Sequence, residues 1–314
     1  MIGDRQRSIA CPLNRGSILV MSLWSASILS ILLASLAFQA GIQKQLIKAE
    51  MNQFEGHWAL VSGFNLAARS IASDEEPYND SIADIWHGEI ELSDPWRSKL
   101  SIRIEDEESK LNLNLASEKL LTAFFENLVK EEGIRLKEDA KDIVKGMLKW
   151  RGGKKNQRVD FLEELLLVEG IEPEDFEKFK PYVTVRGDAV SFPAVNINTV
   201  LPPVLRAIME VLPGGTFGKK QILEKILSVR KNGEKGPGSF VKEELVPNQF
   251  MAKLNLLPDA ETVSLVNQLL PYLTTDSNTF HLDIQIKAKT KKAEAIIRQN
   301  GDLLPPLILY WNEE

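Results

Sequence analysis

A stretch without any charged residue, from Ser17 to Gln43, constrains this chain more than any other feature. Its apolar core, Ile18–Phe38, is long enough to cross the hydrocarbon of a bilayer, because a helix rises about 1.5 Å per residue. The segment before it carries three arginines against one acid. By the positive-inside rule we expect a single-pass anchor with a cytoplasmic N-terminus and with everything after Lys44 on the far side.

Three interpretations of this stretch are open. A secretory signal peptide needs a small-x-small cleavage site, which Ala37–Ala40 could supply. An uncleaved anchor needs no further feature. In the third interpretation Gly16 ends a short basic leader, which resembles the site cut by a prepilin peptidase. That enzyme leaves the apolar helix on its product, so the chain would then begin at Ser17, with a methylated amine in proteins of this kind.

The helical pattern continues beyond the uncharged stretch. Apolar residues recur at helical spacing after Lys44, namely at Leu46, Ile47, Phe54, Trp58, Val61 and Leu66. The segment 73–77 ends the pattern, since it combines acidic residues with a proline. The spacing predicts one helix of about 55 residues, apolar throughout its first half and amphipathic in its second.

The rest of the chain combines strand and helix patterns. Residues 99–105 and 279–287 alternate apolar and polar side chains, as strands with one buried face do, and 88–92 and 307–311 are further candidates. Between the first two strands the pattern predicts helices at 117–132, 138–149, 161–168, 173–179, 202–212, 219–230 and 259–269, with a loop at 231–247. The sequence thus predicts an α+β fold, with a large helical domain inserted between the strands of a small antiparallel sheet.

Composition argues against several functional classes. The formal net charge is −6, which disfavours nucleic acid as a partner. The three histidines are widely separated and Cys11 is the single cysteine, so we predict no metal site. The sequence contains no phosphate-binding loop, nucleophile elbow or zinc-protease motif. We therefore expect neither catalytic residues nor a bound cofactor.

Two short segments echo each other: 111–117 reads LNLNLAS and 195–200 reads VNINTV. Each precedes an apolar helical pattern. We interpret the second asparagine, or the Ser or Thr after it, as a helix cap that accepts hydrogen bonds from the first turn. Pro202 and Pro203 fit the same interpretation, because proline is favoured at helix starts.

Taken together, these segments resemble the K protein of type II secretion (general secretion pathway protein K), the largest minor pseudopilin. The junction of Gly16 and Ser17 matches the family's peptidase site. Residues 104–114 match its acid-Ser-Gly-Lys-apolar-Asn-apolar-Asn turn, although the Gly is missing. Residues 161–171 match its Glu-Leu-Leu-x-Val-x-Gly-Ile segment, and 195–199 match its Val-Asn-Ile-Asn-Thr. The likeness covers nearly the whole chain in order and is weakest at 213–259.

The resemblance implies a pilin-like fold with four parts: a prepilin leader peptide at 1–16, a transmembrane or filament-core helix at 17–43, a pilin-like α/β domain at 44–116 and 270–314, and an inserted α-helical domain at 117–269. It implies a minor pseudopilin at the tip of the secretion pseudopilus, anchored in the bacterial inner membrane with a periplasmic domain. The implied partners are the I and J minor pseudopilins, the major pseudopilin below and the prepilin peptidase.

Met21 is the fifth residue counted from Ser17, where most pilin-like subunits carry Glu. In them the carboxylate pairs with the amine of the subunit above. A chain without it cannot use that pairing to join beneath a neighbour, but it can offer its own Ser17 amine to the subunit below. This asymmetry predicts a place at the top of the filament. We also expect Phe54 and Trp58 to pack on the protein's own sheet and on partner helices.

Calcium binding is a further property of such relatives, in which an Asp-rich stretch lies in the helical domain. The corresponding residues here, 148–155, read LKWRGGKK. Because calcium needs several clustered oxygen ligands, these residues do not favour a calcium site.

An alternative function comes from residues 168–171, which read VEGI and resemble a helix-hairpin-helix that presents backbone N–H groups to DNA phosphates. The chain would then be a membrane-anchored DNA-binding or DNA-uptake protein. The neighbouring residues are mostly acidic and would repel phosphate, namely Glu163, Glu164, Glu169, Glu172, Glu174, Asp175 and Glu177. The one basic cluster is 149–158.

Overall fold

The structure, a computed structural model, describes residues 15–314 except 75, 77–78, 94, 97–98, 132, 135, 153–157, 187–192, 234–238, 288–290 and 300–304. It divides into two compact units, Met1–Trp58 and Ala59–Glu314. Residues 1–14, which form most of the predicted leader, lie outside the described part of the chain.

The first helix, α1 (Arg15–Ala72), has 58 residues, so the prediction of one long N-terminal helix is confirmed. Its segment Ser17–Ala72 is long and apolar enough to cross a membrane, by length and composition alone. Every side chain from Ser17 to Glu55 is exposed.

The second unit contains all the other elements. In chain order these are β1 (Gly88–Glu89), β2 (Leu100–Asp106), β3 (Leu111–Asn112), α2 (Glu118–Glu131), α3 (Ala140–Arg151), α4 (Pro173–Phe179), β4 (Val183–Thr184), β5 (Val195–Asn196), α5 (Pro202–Val211), α6 (Thr216–Gly233), α7 (Pro247–Lys253), α8 (Ala260–Leu269), β6 (Leu273–Thr274), β7 (Thr279–Ile286), β8 (Lys292–Arg298) and β9 (Leu307–Glu313). Short 3₁₀ turns lie at Glu107–Ser109, Leu162–Leu167, Lys180–Tyr182, Lys242–Glu244 and Leu270–Tyr272.

The main sheet has five antiparallel strands in the order β1-β2-β7-β8-β9. Ile102 lies opposite Ile284 and Ile104 opposite Leu282, so the alternating pattern of the two strands places their apolar side chains on one face. That face shares a core with Leu60, Ala67 and Ile71 of α1. The α+β prediction, with further helices between β2 and β7, is confirmed.

β8 is a strand that the sequence analysis does not predict. Its residues, KAEAIIR, are mostly good helix formers, so propensity obscures the alternation. Nevertheless Ala293, Ala295 and Ile297 are buried while their neighbours are partly exposed. The pairing with β7 and β9 decides the conformation, because a central strand has partners on both edges.

The helical part has its own hydrophobic core, which includes Phe124, Phe125, Phe179 and Ile208. The bounds of most predicted helices agree with the observed bounds to within a few residues, but four segments differ from the prediction. Residues 162–167 form a 3₁₀ turn instead of an α-helix, and α6 extends beyond the predicted 219–230 at both ends. The predicted loop at 231–247 includes the end of α6 and a 3₁₀ turn, and α7 was not predicted. The domain boundaries at 116/117 and 269/270 stay predictions.

The echo found in the sequence belongs to a structural repeat. β3 pairs in parallel with β4, and β5 pairs in parallel with β6. β4 and β6 each follow a helix and a 3₁₀ turn with a Pro-Tyr pair, in the segments KPYVT and LPYLT. The helical part therefore contains two copies of one supersecondary arrangement.

Gly63 allows α1 to approach the sheet closely. A Cβ added there would lie 2.6 Å from Ile284 Cγ2, with Leu100 Cδ1 at 3.5 Å and Ile102 Cδ1 at 3.6 Å. Ile284 is fully buried, so its side chain has no free space into which to move. Because packed cores respond to even one added methyl group, glycine is needed at this position.

We therefore predict that Gly63→Val lowers the free energy of unfolding by about 2 kcal/mol or more, since overpacking forces the helix away from the sheet. Asn65→Val is the matched control, because Asn65 lies on the same helix and is exposed. Chemical unfolding of the full chain in detergent measures both. Equal effects of the two substitutions would show that α1 does not pack tightly at Gly63.

Candidate assembly site

The N-terminal part of α1 contains the residues predicted to act in assembly. Ser17 lies in its first turn and Met21 one turn later, with 71% of the Met21 side chain exposed. The hydroxyls of Ser25 and Ser27 donate to the carbonyls of Met21 and Leu23, each at 2.9 Å. These local bonds satisfy the serine hydroxyls inside the helix, as required in hydrocarbon or between apolar helices. The roles of Gly16, Ser17 and Met21 stay predictions.

Phe54 and Trp58 are exposed, at 65% and 52%. Their rings contact each other edge to face, with centroids 6.0 Å apart. The part of the prediction that buries them against the protein's own sheet is therefore corrected, and the first α1 residue in the core of the sheet is Leu60. The part that places them against partner helices stays a prediction.

A buried polar junction lies where the chain leaves the sheet for the helical part, at the turn that carries the family resemblance. Asp106, at the end of β2, is 1% exposed. It accepts hydrogen bonds from the Thr199 hydroxyl, from the Ser277 hydroxyl at 2.7 Å and from the Glu108 N–H at 2.8 Å. One carboxylate thereby connects β2, the turn after β5 and the segment that enters β7.

Glu108 places a second carboxyl beside Asp106. Burial first, and then the charge of Asp106, raise the pKa of Glu108 well above its ordinary value. Burial also raises the pKa of Asp106. The Thr279 N–H donates to Glu108 Oε2 at 3.2 Å. Charging both of these neighbouring carboxyls is unfavourable, and the larger rise in pKa makes Glu108 the one that favours its protonated form.

Glu107 forms the second half of the junction. Burial alone would raise its pKa, but Lys110 at 2.5 Å and the Thr184 hydroxyl outweigh burial and hold the pKa below its ordinary value. Lys110 is itself buried, and the charge of Glu107 raises its pKa against the effect of burial. The ion pair lies within the turn after β2, and the bond from the Thr184 hydroxyl to Glu107 joins that turn to β4, which belongs to the helical part.

The asparagines of the echo hold distant segments together. Asn198 donates to the Phe240 carbonyl at 2.9 Å and accepts from the Phe240 N–H at 2.7 Å. Asn114 makes the equivalent pair of bonds with Val159, both at 2.9 Å. The prediction that these asparagines cap helices is therefore wrong. The prediction of a capping Ser or Thr is confirmed at Ser117, whose hydroxyl accepts a hydrogen bond from the Leu120 N–H at 3.3 Å. The prediction of a helix start at Pro202 and Pro203 is also confirmed, because these residues begin α5.

Arg151 lies in the segment 148–155, where the resemblance would place calcium ligands. Its Nη1 donates to the carbonyls of Leu113 and Ala116, at 2.7 and 2.9 Å. A guanidinium is not a ligand for calcium, so Arg151 does not favour a calcium site in this segment. The rest of the predicted basic cluster falls largely on 153–157, outside the described residues.

A different acidic group, Asp74, Asp80 and Asp84, brings three carboxylates within 4.8 Å of one another. The Trp86 indole donates to Asp74 at 2.9 Å, and backbone N–H groups of Ser81 and Ser277 donate to Asp84 and Asp80, each at 2.6 Å. These bonds account for the cluster as a hydrogen-bonded turn after α1. We assign no metal to it.

Asp80 is the buried member of this group. Burial, as the largest effect, and the nearby charges of Asp106, Asp74 and Asp84 raise its pKa to about 8, despite the bond from Ser277. At neutral pH the carboxyl is therefore mainly protonated in the folded protein.

An acidic residue, Glu138, packs beside the glycine of the loop on which the alternative DNA-binding function depends. Gly170 has a φ of +92°, and a Cβ there would lie 3.2 Å from Glu138 Cγ. A further negative charge close to this loop adds to the repulsion of phosphate by the acidic neighbours already noted. Nothing in this geometry supports the alternative.

We predict that thermal stability falls as the pH rises from about 5 to 8, partly because unfolding releases the proton of Asp80. An unfolded Asp has a pKa near 3.9, and the folded value is about 8, so the stabilisation is complete below about pH 4 and is lost through pH 8. Asp80→Asn keeps an acceptor for the Ser277 N–H but cannot titrate. The decrease in melting temperature between pH 5 and 8 should therefore be smaller in this variant, by at least about 2 °C. Exposed Asp139→Asn is the control. An unchanged pH profile in Asp80→Asn would contradict the assignment.

No protein-family model and no curated protein matches the sequence. Among solved structures, a chain of the GspK-GspI-GspJ complex from the type 2 secretion system of enterotoxigenic Escherichia coli is similar, with a TM-score of 0.57 and 16% sequence identity. The match covers 85% of this chain and 98% of that chain. The chain therefore has a GspK-like α+β fold, as the resemblance implied.

Proposed function

We propose that this protein is a minor pseudopilin that caps the tip of a type II secretion pseudopilus and helps to nucleate it. The observation that carries the proposal is a fully exposed, uncharged helix from Ser17 to Gln43 on a chain with a GspK-like fold. Such a surface needs either hydrocarbon or other apolar helices around it. A pseudopilus subunit has both environments in turn, first the membrane and then the filament core.

The absence of a carboxylate at position 21 supports the tip location. A chain with Met21 cannot pair with the amine of a subunit above it, yet its own Ser17 amine remains available to the subunit below. The size of the protein argues in the same direction. About 270 residues follow Gln43, and a helical part of this size would obstruct the layer above, whereas no layer lies above a tip.

The partners follow from this role. The similar solved chain comes from a GspK-GspI-GspJ complex, so we propose minor pseudopilins of the I and J types as neighbours, with the major pseudopilin below. A prepilin peptidase would remove residues 1–16 on the cytoplasmic side of the inner membrane and leave the rest anchored with a periplasmic domain. The proposed role is structural, and it requires no catalytic residue in this chain.

Processing at Gly16 tests this proposal. When the full chain is made together with a prepilin peptidase, intact mass analysis should find a product that begins at methylated Ser17. Gly16→Ala should abolish that product, because the peptidase recognises the glycine. Gly41→Ala is the matched control, since a Cβ at Gly41 meets no atom within 4 Å. An intact Met1, or a product that begins near Gly41, would contradict the proposal.

A further inference from the structure

Four large exposed side chains form a stripe on α1 after the uncharged segment. We call Ile47, Met51, Phe54 and Trp58 the seam; they are 56%, 58%, 65% and 52% exposed. Their spacings of four, three and four residues are those of the a and d positions of a heptad repeat. Lys44 occupies the preceding a position, so the apolar repeat with large side chains is confined to these four residues. Such a repeat is the pattern by which one helix packs against another.

Charged residues flank the seam at the positions that select a partner. With Met51 and Trp58 at a, the e positions are Lys48 and Glu55, and the g positions include Glu50. In parallel coiled coils, a g residue faces the e residue five positions further along the other helix. Glu50 therefore faces position 55 of its partner, and Glu55 faces position 50.

A second copy of this chain is a poor partner under this rule. In a parallel pair of identical helices, Glu50 of each chain would face Glu55 of the other, so two carboxylate pairs would repel. Lys48 offers no compensation, because it would face the uncharged Gln43. The apolar seam favours helix pairing, while its flanking charges disfavour self-pairing and favour a basic partner.

We propose that the seam binds a parallel helix from a different pilin-like subunit that carries Lys or Arg opposite Glu50 and Glu55. This inference rests on the proposed function, because subunits inserted in one membrane with the same orientation have parallel helices. It identifies the surface of this chain that binds the partner and the charge that the partner helix carries. It also explains why this chain pairs with other subunits instead of with a second copy of itself.

A charge exchange in the full chain tests the inference. Two versions are made with Cys11→Ala and Met51→Cys, and one of them also carries Glu50→Lys and Glu55→Lys and a tag that changes its mass. They are mixed in detergent at low salt and oxidised, and the disulfide-linked dimers are counted. We expect the mixed dimer to exceed each self-dimer by about tenfold, against about twofold for random pairing. In 1 M salt the excess should fall towards the random value, because the Debye length is then about 3 Å.

The control replaces the cysteine at position 51 with Gln53→Cys, which lies off the seam on the same exposed helix and should give much weaker cross-linking. Self-dimers of the unexchanged chain as abundant as the mixed dimer would assign the seam to a second copy and overturn the inference. Equal cross-linking through positions 51 and 53, or none at either, would overturn the seam itself. A chain that is cleaved at Gly16 but fails this test retains the proposed function and loses only the seam.

Discussion

The remainder of the structure depends on how the apolar surface of α1 is kept from water. From Ser17 to Gln43 the helix carries no charge, and every side chain is exposed in the isolated chain. Apolar surface of this kind costs roughly 25 cal/mol per Å² in water, and backbone groups inside a helix are already paired, so a helix is suited to hydrocarbon. The same surface can be covered by other helices. In the proposed role, an anchor that later becomes the core of a filament needs no change in its own conformation.

The sheet explains how a large helical part can be added to such an anchor. β2 and β7 are adjacent antiparallel strands, and Asp106 at the end of one lies opposite Phe280 near the start of the other. The chain therefore leaves and re-enters the sheet at the same place, and the insertion replaces a hairpin turn. Loop-closure entropy rises only slowly with loop length, so the sheet tolerates a folded insertion of this size. The bonds of Asp106 to Thr199 and Ser277 fix the orientation of both chain crossings.

Much of the fold could be predicted from the sequence because its signals are local. The uncharged stretch predicts α1, and simple alternation predicts β2 and β7. β8 could not be recognised, since its alanines, glutamate and lysine prefer helices and only pairing makes them a strand. Local patterns assign the asparagines of the echo as helix caps, because a cap needs only partners that are near in sequence. Their real partners, Phe240 and Val159, are more than forty residues away, a relation that local patterns do not contain.

For the assembly residues too, the sequence predicts some features, while others depend on tertiary contacts. Met21 could be singled out by counting from Gly16, and the apolar character of Phe54 and Trp58 is evident in the sequence. Their exposure, with Leu60 as the first α1 residue in the core of the sheet, depends on tertiary packing and is not evident in the sequence. The junction of Asp106, Glu108, Thr199 and Ser277 could not be predicted, because it joins three segments through tertiary contacts.

The central claim, that this chain ends the filament, is tested most directly by the position of a labelled subunit. Pseudopili assembled with an electron-dense tag on the C-terminus of this protein can be imaged by electron microscopy. The account predicts one label at a single end of each filament and none along its length. Labels repeated along the shaft, with other subunits both above and below them, would contradict it.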